Sequence, residues 1–323
     1  MHLNAHGLSV LVLDGGDHAV PTVATLLGEG ASVTLHADTV CAALEDLAQR
    51  GRLDRAHDVV DEASFDLVVR RVPAPVVDPP RGGAGRVTLV GAGPGDPGLL
   101  TVAGREAIET ADVVVADRLA PWDAITWAPA HVEVVDVSKI PFGRSTSQDE
   151  INRILVERAQ AGHHVVRLKG GDSYVFGRGF EEVQACAAAG VPTTVIPGVT
   201  SSVAAPELAG VPVTHRGLVQ GFTVVSGHVP PGHPDSTIDY AALARSGTTL
   251  VVLMGVRTLP AITEALIEAG LDGATPCALV ADASLPSQHD VRTTLAKAAT
   301  DAAAAGIGAP AVAVIGHVAA LEP

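Results

Sequence analysis

Four short stretches of this chain combine reactive side chains with bare backbone. They are Asp96 in "GPGDPG", Asp117-Arg118 after "DVVVA", Lys169-Gly170-Gly171-Asp172 after "HVVRL", and Pro197-Gly198-Val199-Thr200-Ser201 after "TTVI". A carboxylate at such a position suits general-base chemistry, and a guanidinium fork suits carboxylate recognition. Each stretch follows an apolar, β-branched run that reads as a strand. In open α/β sheets ligands bind beyond the carboxyl ends of the strands. Four consecutive strands therefore deliver polar groups or bare backbone to one rim, and that rim is the candidate site.

The first stretch also matches a dinucleotide fingerprint in form, because Gly93-Pro94-Gly95-Asp96-Pro97-Gly98 satisfies G-x-G-x-x-G. Pyrophosphate sites of that type depend on backbone N–H groups. Pro94 and Pro97 each remove a donor. The loop is a poor phosphate cradle and suits a ligand that packs on backbone without phosphate contacts.

The elements that must position these residues alternate along the chain. "LSVLVLDGGD" reads as a strand, "AVPTVATLLGEG" as a helix ending at Gly30, and "ASVTLHAD" as a strand. That β-α-β order implies a parallel pair with a right-handed crossover. Residues 73–86, rich in proline and glycine, have linker composition. Beyond them the alternation restarts. Strands are expected at Val113–Ala116, Phe222–Val225, Leu250–Leu253, Cys277–Val280 and Ala311–Ile315, with a helix at Ala261–Ala269. Ser147-Gln148-Asp149-Glu150 is a capping box opening a helix with Ile151, Ile154 and Leu155 on one face. His163 and His164 are expected at the surface, on opposite faces of a strand start.

Composition narrows the function classes. The chain has 323 residues, is 47% hydrophobic and 3% aromatic, and carries a net charge of −15, which argues against a general nucleic-acid binder. Residues 117–216 hold 9 Lys or Arg against 11 Asp or Glu and are far less acidic than the rest. A polyanionic small molecule would be drawn there. No run is long and apolar enough for a membrane span. The three cysteines, Cys41, Cys186 and Cys277, are far apart, so no thiolate metal site is expected and a reduced, cytoplasmic compartment is. The opening "MHLNAHGLSV" lacks the features of a secretory signal.

"VTLVGAGPGDPGLLTVAGREAIETADVVVADRL", "RLKGGD…FGRG", "PGVTSSVAAPELAGVPVTHR" and "SGH" together resemble the tetrapyrrole methylase family, within it the branch acting on uroporphyrinogen III. The resemblance covers about 86–323. It implies an α/β fold of two α/β domains with a cleft between them, here 87–200 and 201–323, preceded by a partial Rossmann-like β-α-β segment at 1–72. It further implies a homodimer, S-adenosylmethionine as cofactor, and two C-methylations of uroporphyrinogen III giving precorrin-2, for sirohaem or cobalamin synthesis. Carried over by motif, Pro94, Gly170, Gly171, Asp172, Val175, Thr200, Ser201, Met254 and Ala283 would contact the cofactor. Asp117 would be the proton acceptor and Lys139 the proton donor. Arg118, Arg144, Arg178 and Arg216 are available for the substrate's carboxylates. The sequence departs from the family pattern at Ala116, Ile140, Phe180 and Ala283. The first 80 residues resemble a cut-down form of the dehydrogenase domain of sirohaem synthases. Asp14 sits in its glycine turn, and the length after the second strand is expected to be too short to finish a sheet. A remnant without dehydrogenase activity, dispensable for methylation, is expected.

Overall fold

The computed structural model describes residues 5–70, 85–138 and 146–322. The chain forms two compact units, one of residues 1–93 and 97–198, the other of 94–96 and 199–323.

The first unit opens with β1 (Ser9–Val12), α1 (Val20–Gly28), β2 (Ser32–Leu35), α2 (Ala42–Gln49), β3 (Asp54–Arg55) and β4 (Leu67–Val69). These strands pair in parallel in the order β3-β2-β1-β4. The expected β-α-β is present, but so are two further strands. They escaped the sequence reading because one is two residues long and the other lies among polar residues.

There follow β5 (Arg86–Gly91), α3 (Val102–Glu109), β6 (Val113–Ala116), β7 (Glu133–Asp136), α4 (Gln148–Gln160), β8 (His164–Lys169), α5 (Gly179–Ala188) and β9 (Thr193–Ile196). All five strands are parallel, in the order β7-β6-β8-β5-β9. The central strands β5, β6 and β8 bury both faces, as their valine-rich runs require. The Ser147 hydroxyl accepts the Glu150 N–H at 3.2 Å, as the capping box predicts. On one sheet face Val90, Val114, Val166 and Leu168 join a core that continues through Trp122 and Ile125 into Val20, Val23, Leu44 and Leu47. The amino-terminal segment thus shares its hydrophobic core with the second sheet. The opposite face packs Val87, Leu89, Val113, Val115 and Val165 on Ile151 and Leu155 of α4.

His163 and His164 correct an expectation. Both are buried, because the strand they start is covered on each side. His164 Nδ1 donates to the Thr110 carbonyl at 2.9 Å and its Nε2 lies 3.0 Å from the Thr88 hydroxyl. Burial pulls its pKa below 6.5.

The second unit holds α6 (Ser201–Leu208), β10 (Phe222–Ser226), α7 (Tyr240–Arg245), β11 (Thr249–Leu253), α8 (Leu259–Glu268), β12 (Pro276–Ala281), β13 (His289–Thr294), α9 (Ala298–Ala304) and β14 (Ala311–Ile315). Its sheet runs β10-β11-β14-β12-β13, and only β10 and β11 are parallel. β13 was missed because "HDVRTT" is polar and flanks the core only from an edge. Among the described residues no helix is long and apolar enough to cross a membrane.

Candidate active site

Asp117 stands one residue beyond β6, at the carboxyl rim of the five-stranded parallel sheet. Its Oδ1 accepts the Leu119 N–H at 3.1 Å and the Gly170 N–H at 3.4 Å. Its Oδ2 faces the Arg167 guanidinium at 3.4 Å. The side chain keeps 28% exposure, so the carboxylate is oriented yet reachable.

Behind it lies a charge cluster that the sequence reading did not identify. Alternation along β8 puts Val165, Arg167 and Lys169 on one face. That face is buried, so both cations need partners inside the protein. Glu182 of α5, fully buried, accepts from Arg167 Nε at 3.2 Å and from Lys169 Nζ at 3.0 Å. Gln148 adds a third donor to the same oxygen at 3.3 Å. Arg167 also donates to the Val115 and Leu168 carbonyls. Burial, and then the neighbouring Arg167 charge, pull the Lys169 pKa below its ordinary value. The available signal was two basic residues at i and i+2 in a run otherwise apolar.

The glycine turns serve each other as much as a ligand. Gly93 N–H donates to Gly171 O at 3.1 Å, and Gly171 N–H donates to Gly93 O at 2.6 Å. These two amides are spent on each other and are not offered to a ligand. A Cβ on Gly198 would lie 2.4 Å from the Gly171 oxygen and 2.4 Å from the Gly91 carbonyl carbon. The loops after β5, β8 and β9 therefore meet as three backbones. Asp172 ties two of them, accepting the Gly198 N–H at 3.0 Å and the Tyr174 N–H at 2.8 Å.

Past this turn the chain exposes Tyr174, Val175, Phe176 and Phe180. The Tyr174 and Phe180 rings meet edge to face at 5.9 Å. Arg178 is exposed in a left-handed conformation and pairs with Glu181. The candidate substrate contact Arg118 has its guanidinium engaged by Asp46 at 3.2 Å. Lys139 and Arg144 lie outside the described residues.

In the second unit, Thr200 caps α6 by accepting the Ser202 N–H, and Ser201 begins that helix. Met254 follows β11 in a left-handed conformation and is exposed. Ala283 follows β12 between Asp282 and Ser284, both of positive φ. Pro94–Asp96 belong to this unit, and Asp96 N–H donates to Ser284 Oγ at 2.9 Å. Arg216 is exposed.

The amino-terminal glycine turn is filled from within. Asp14 Oδ1 accepts the Gly16 N–H at 3.1 Å, and its Oδ2 contacts His18 Nε2 at 3.0 Å. The Gly16 amide of the turn is thus taken by a carboxylate of the same turn. Nearby, Asp17, Cys41 and Asp136 bring ligand atoms within 4.8 Å of one another. Burial pushes the Cys41 thiol up to about 12.

Comparison with known proteins gives the family of the chain. Residues 86–299 match the family described as Tetrapyrrole (Corrin/Porphyrin) Methylases. An S-adenosyl-L-methionine-dependent uroporphyrinogen III methyltransferase of Methanosarcina barkeri is 42% identical over 237 residues, 73% of this chain and 93% of that protein. Siroheme synthase 2 of Klebsiella pneumoniae is 42% identical over 238 residues, and the match spans 74% of this chain and 51% of that one. The crystal structure of a uroporphyrin-III C-methyl transferase from Thermus thermophilus, complexed with S-adenyl homocysteine, superposes with a TM-score of 0.62 at 42% identity, covering 73% of this chain and 94% of that one.

Proposed function

The chain belongs to the tetrapyrrole methylase family, and from that premise we propose that it transfers two methyl groups from S-adenosylmethionine to uroporphyrinogen III, giving precorrin-2. The observation that carries this reading is the match to uroporphyrinogen III methyltransferases over nearly their whole length, with a reachable carboxylate, Asp117, at the strand end.

The rim residues fit S-adenosylmethionine. Its sulfonium centre is cationic and needs no anion cradle, and the paired amides of Gly93 and Gly171 provide none. When bound, it supplies an electrophilic methyl carbon. The chain's own residues align the pyrrole carbon with that methyl, and such alignment can be worth ~7–11 kcal/mol. Pro94, Gly170, Gly171, Asp172, Val175, Thr200, Ser201, Met254 and Ala283 are the proposed cofactor contacts, each carried by its family motif. Asp117 Oδ accepts the proton that the alkylated macrocycle must lose. The hydrogen bonds from Leu119 and Gly170 aim that oxygen, and Lys139 is the proposed donor. Arg178 and Arg216, both exposed, are proposed for the substrate's carboxylates. The aromatic edge of Tyr174 and Phe180 offers an apolar face to the macrocycle.

Supply of sirohaem or cobalamin, a homodimeric assembly and a cytoplasmic location complete the reading. The three free cysteines, two of them buried, suit a reducing compartment. The test is incubation of the protein with uroporphyrinogen III and labelled S-adenosylmethionine. Two methyl groups per product molecule are expected. No label on uroporphyrinogen III, with label entering a more methylated precorrin, would assign the enzyme to a later step.

A further inference from the structure

We propose that α2 of the amino-terminal segment is a positioning element for the candidate base, acting through Asp46 on Arg118. This rests on the reading of Asp117 as proton acceptor. α2 precedes the residues that match the family, so the device belongs to this chain's added segment.

α2 is held at the rim of the five-stranded sheet from two adjacent strands. At its start, the N-cap residue Cys41 makes no side-chain cap. Asp136, the last residue of β7, supplies the cap instead, accepting the Ala43 N–H at 2.6 Å. The Ser138 N–H in turn bonds Asp136 at 2.8 Å. Further along α2, the 4%-exposed Asp46 meets Arg118 Nη1 at 3.2 Å and Arg50 Nε at 2.7 Å. Arg50 Nη2 also donates to the Arg118 carbonyl at 3.4 Å. Beyond the helix, Arg52 pairs with Asp123 at 2.6 Å. Arg118 is thus gripped at its guanidinium and at its carbonyl, immediately after Asp117.

The grip reaches the site through two neighbours. The Leu119 N–H orients Asp117 Oδ1. Leu119 also packs so tightly on the second glycine turn that a Cβ on Gly170 would lie 2.6 Å from its Cβ. Turning the Arg118 peptide would therefore disturb both the base and the Gly170 turn. Without Asp46, the freed guanidinium would be available to the adjacent Asp117 carboxylate. Asp46 and Arg118 are positioning residues, and Arg118 is reassigned from substrate contact to this role.

The test uses the full-length protein with Asp46→Ala, Arg118→Ala, the double variant, Arg118→Lys and the isosteric Asp46→Asn. Each single alanine variant is expected to lower kcat about tenfold, a coupling within the range for contacting residues. The double variant is expected to be no slower than either single. KM for the tetrapyrrole stays within about twofold, and Arg118→Lys, which keeps a cation for Asp46, recovers part of the kcat lost in Arg118→Ala. Additive losses, or a raised tetrapyrrole KM in Arg118→Ala alone, would overturn the proposal. Hydrogen exchange reads the same grip without substrate. The Leu119 and Gly170 amides, both bonded to Asp117, should exchange faster in Asp46→Asn, and unchanged exchange sinks the positioning role. A wild-type protein that fails to methylate uroporphyrinogen III would instead refute the proposed function, with the exchange result still deciding the grip.

Discussion

At Asp117 the carboxylate is held by two backbone N–H groups and one guanidinium, yet stays open to solvent. Removing it should slow methyl transfer by roughly 10²–10⁴-fold, the usual worth of general acid–base help. S-adenosylmethionine affinity in Asp117→Ala, measured by calorimetry, should stay near wild type. A matching loss of affinity would make Asp117 a binding residue. His164 carries a different prediction. Its folded pKa is lowered by burial, so the unfolded chain binds the proton more readily. This group's contribution to stability is complete above pH 6.5 and falls as pH drops through 6.5 towards the folded value. Urea midpoints of wild type and His164→Asn should converge as pH falls from 7 to 5. Parallel curves would show that His164 is not the titrating group.

The loops after β5, β8 and β9 act as one element because their glycines leave no room between backbones. Gly198→Ala pushes a methyl into two carbonyl groups 2.4 Å away. A loss of about 1–3 kcal/mol is expected, as for other overpacked sites. It should appear as a lower melting temperature without ligand. Gly171, at φ +67, adds left-handed strain of about 1–2 kcal/mol for any larger residue. An unchanged melting temperature in Gly198→Ala would mean that the three loops separate freely. The exposed Tyr174–Phe180 pair belongs to this same scale. Phe180→Gly should raise KM for the tetrapyrrole several-fold while leaving cofactor affinity alone, since a lost aromatic contact is worth about 0.5–1.5 kcal/mol. An unaltered KM would remove the pair from the substrate surface.

For the molecule as a whole, the amino-terminal segment has changed meaning. Its four strands take the order of the first part of a dinucleotide fold, so the sheet is less truncated than its length suggested. The turn's Gly16 amide is nevertheless taken, because Asp14 accepts it and sets a negative charge where a dinucleotide fold would meet phosphate. The full-length protein given precorrin-2 and NAD should form no sirohydrochlorin. NADH appearing in that assay would show that Asp14 can be displaced. Truncation near Gly85 was expected to spare methylation. The core shared by Val20, Val23, Trp122 and Ile125 predicts the opposite, because the cut exposes a buried apolar surface. The shortened chain should aggregate or melt well below the full-length protein.

The α/β alternation, most strand ends and most residue types at the rim are legible in the amino-acid sequence alone. Those features are local. Val113–Ala116 is a strand because β-branched residues fit a doubly buried pleat, and Ser147 starts a helix through its own hydroxyl. It also carried the glycines of the turns and Asp117 in order. Tertiary structure alone decided who partners whom. Arg167 read as a strand residue and Lys169 as a rim group beyond the strand, until Lys169 proved to end β8 and Glu182, supplied by a different element, met both on a buried face. Gly93 and Gly171, 78 positions apart in sequence, consume each other's amides. Arg118 looked available for a substrate until the fold brought Asp46 to it. Burial and pairing depend on which distant segments pack together, and no local pattern encodes that.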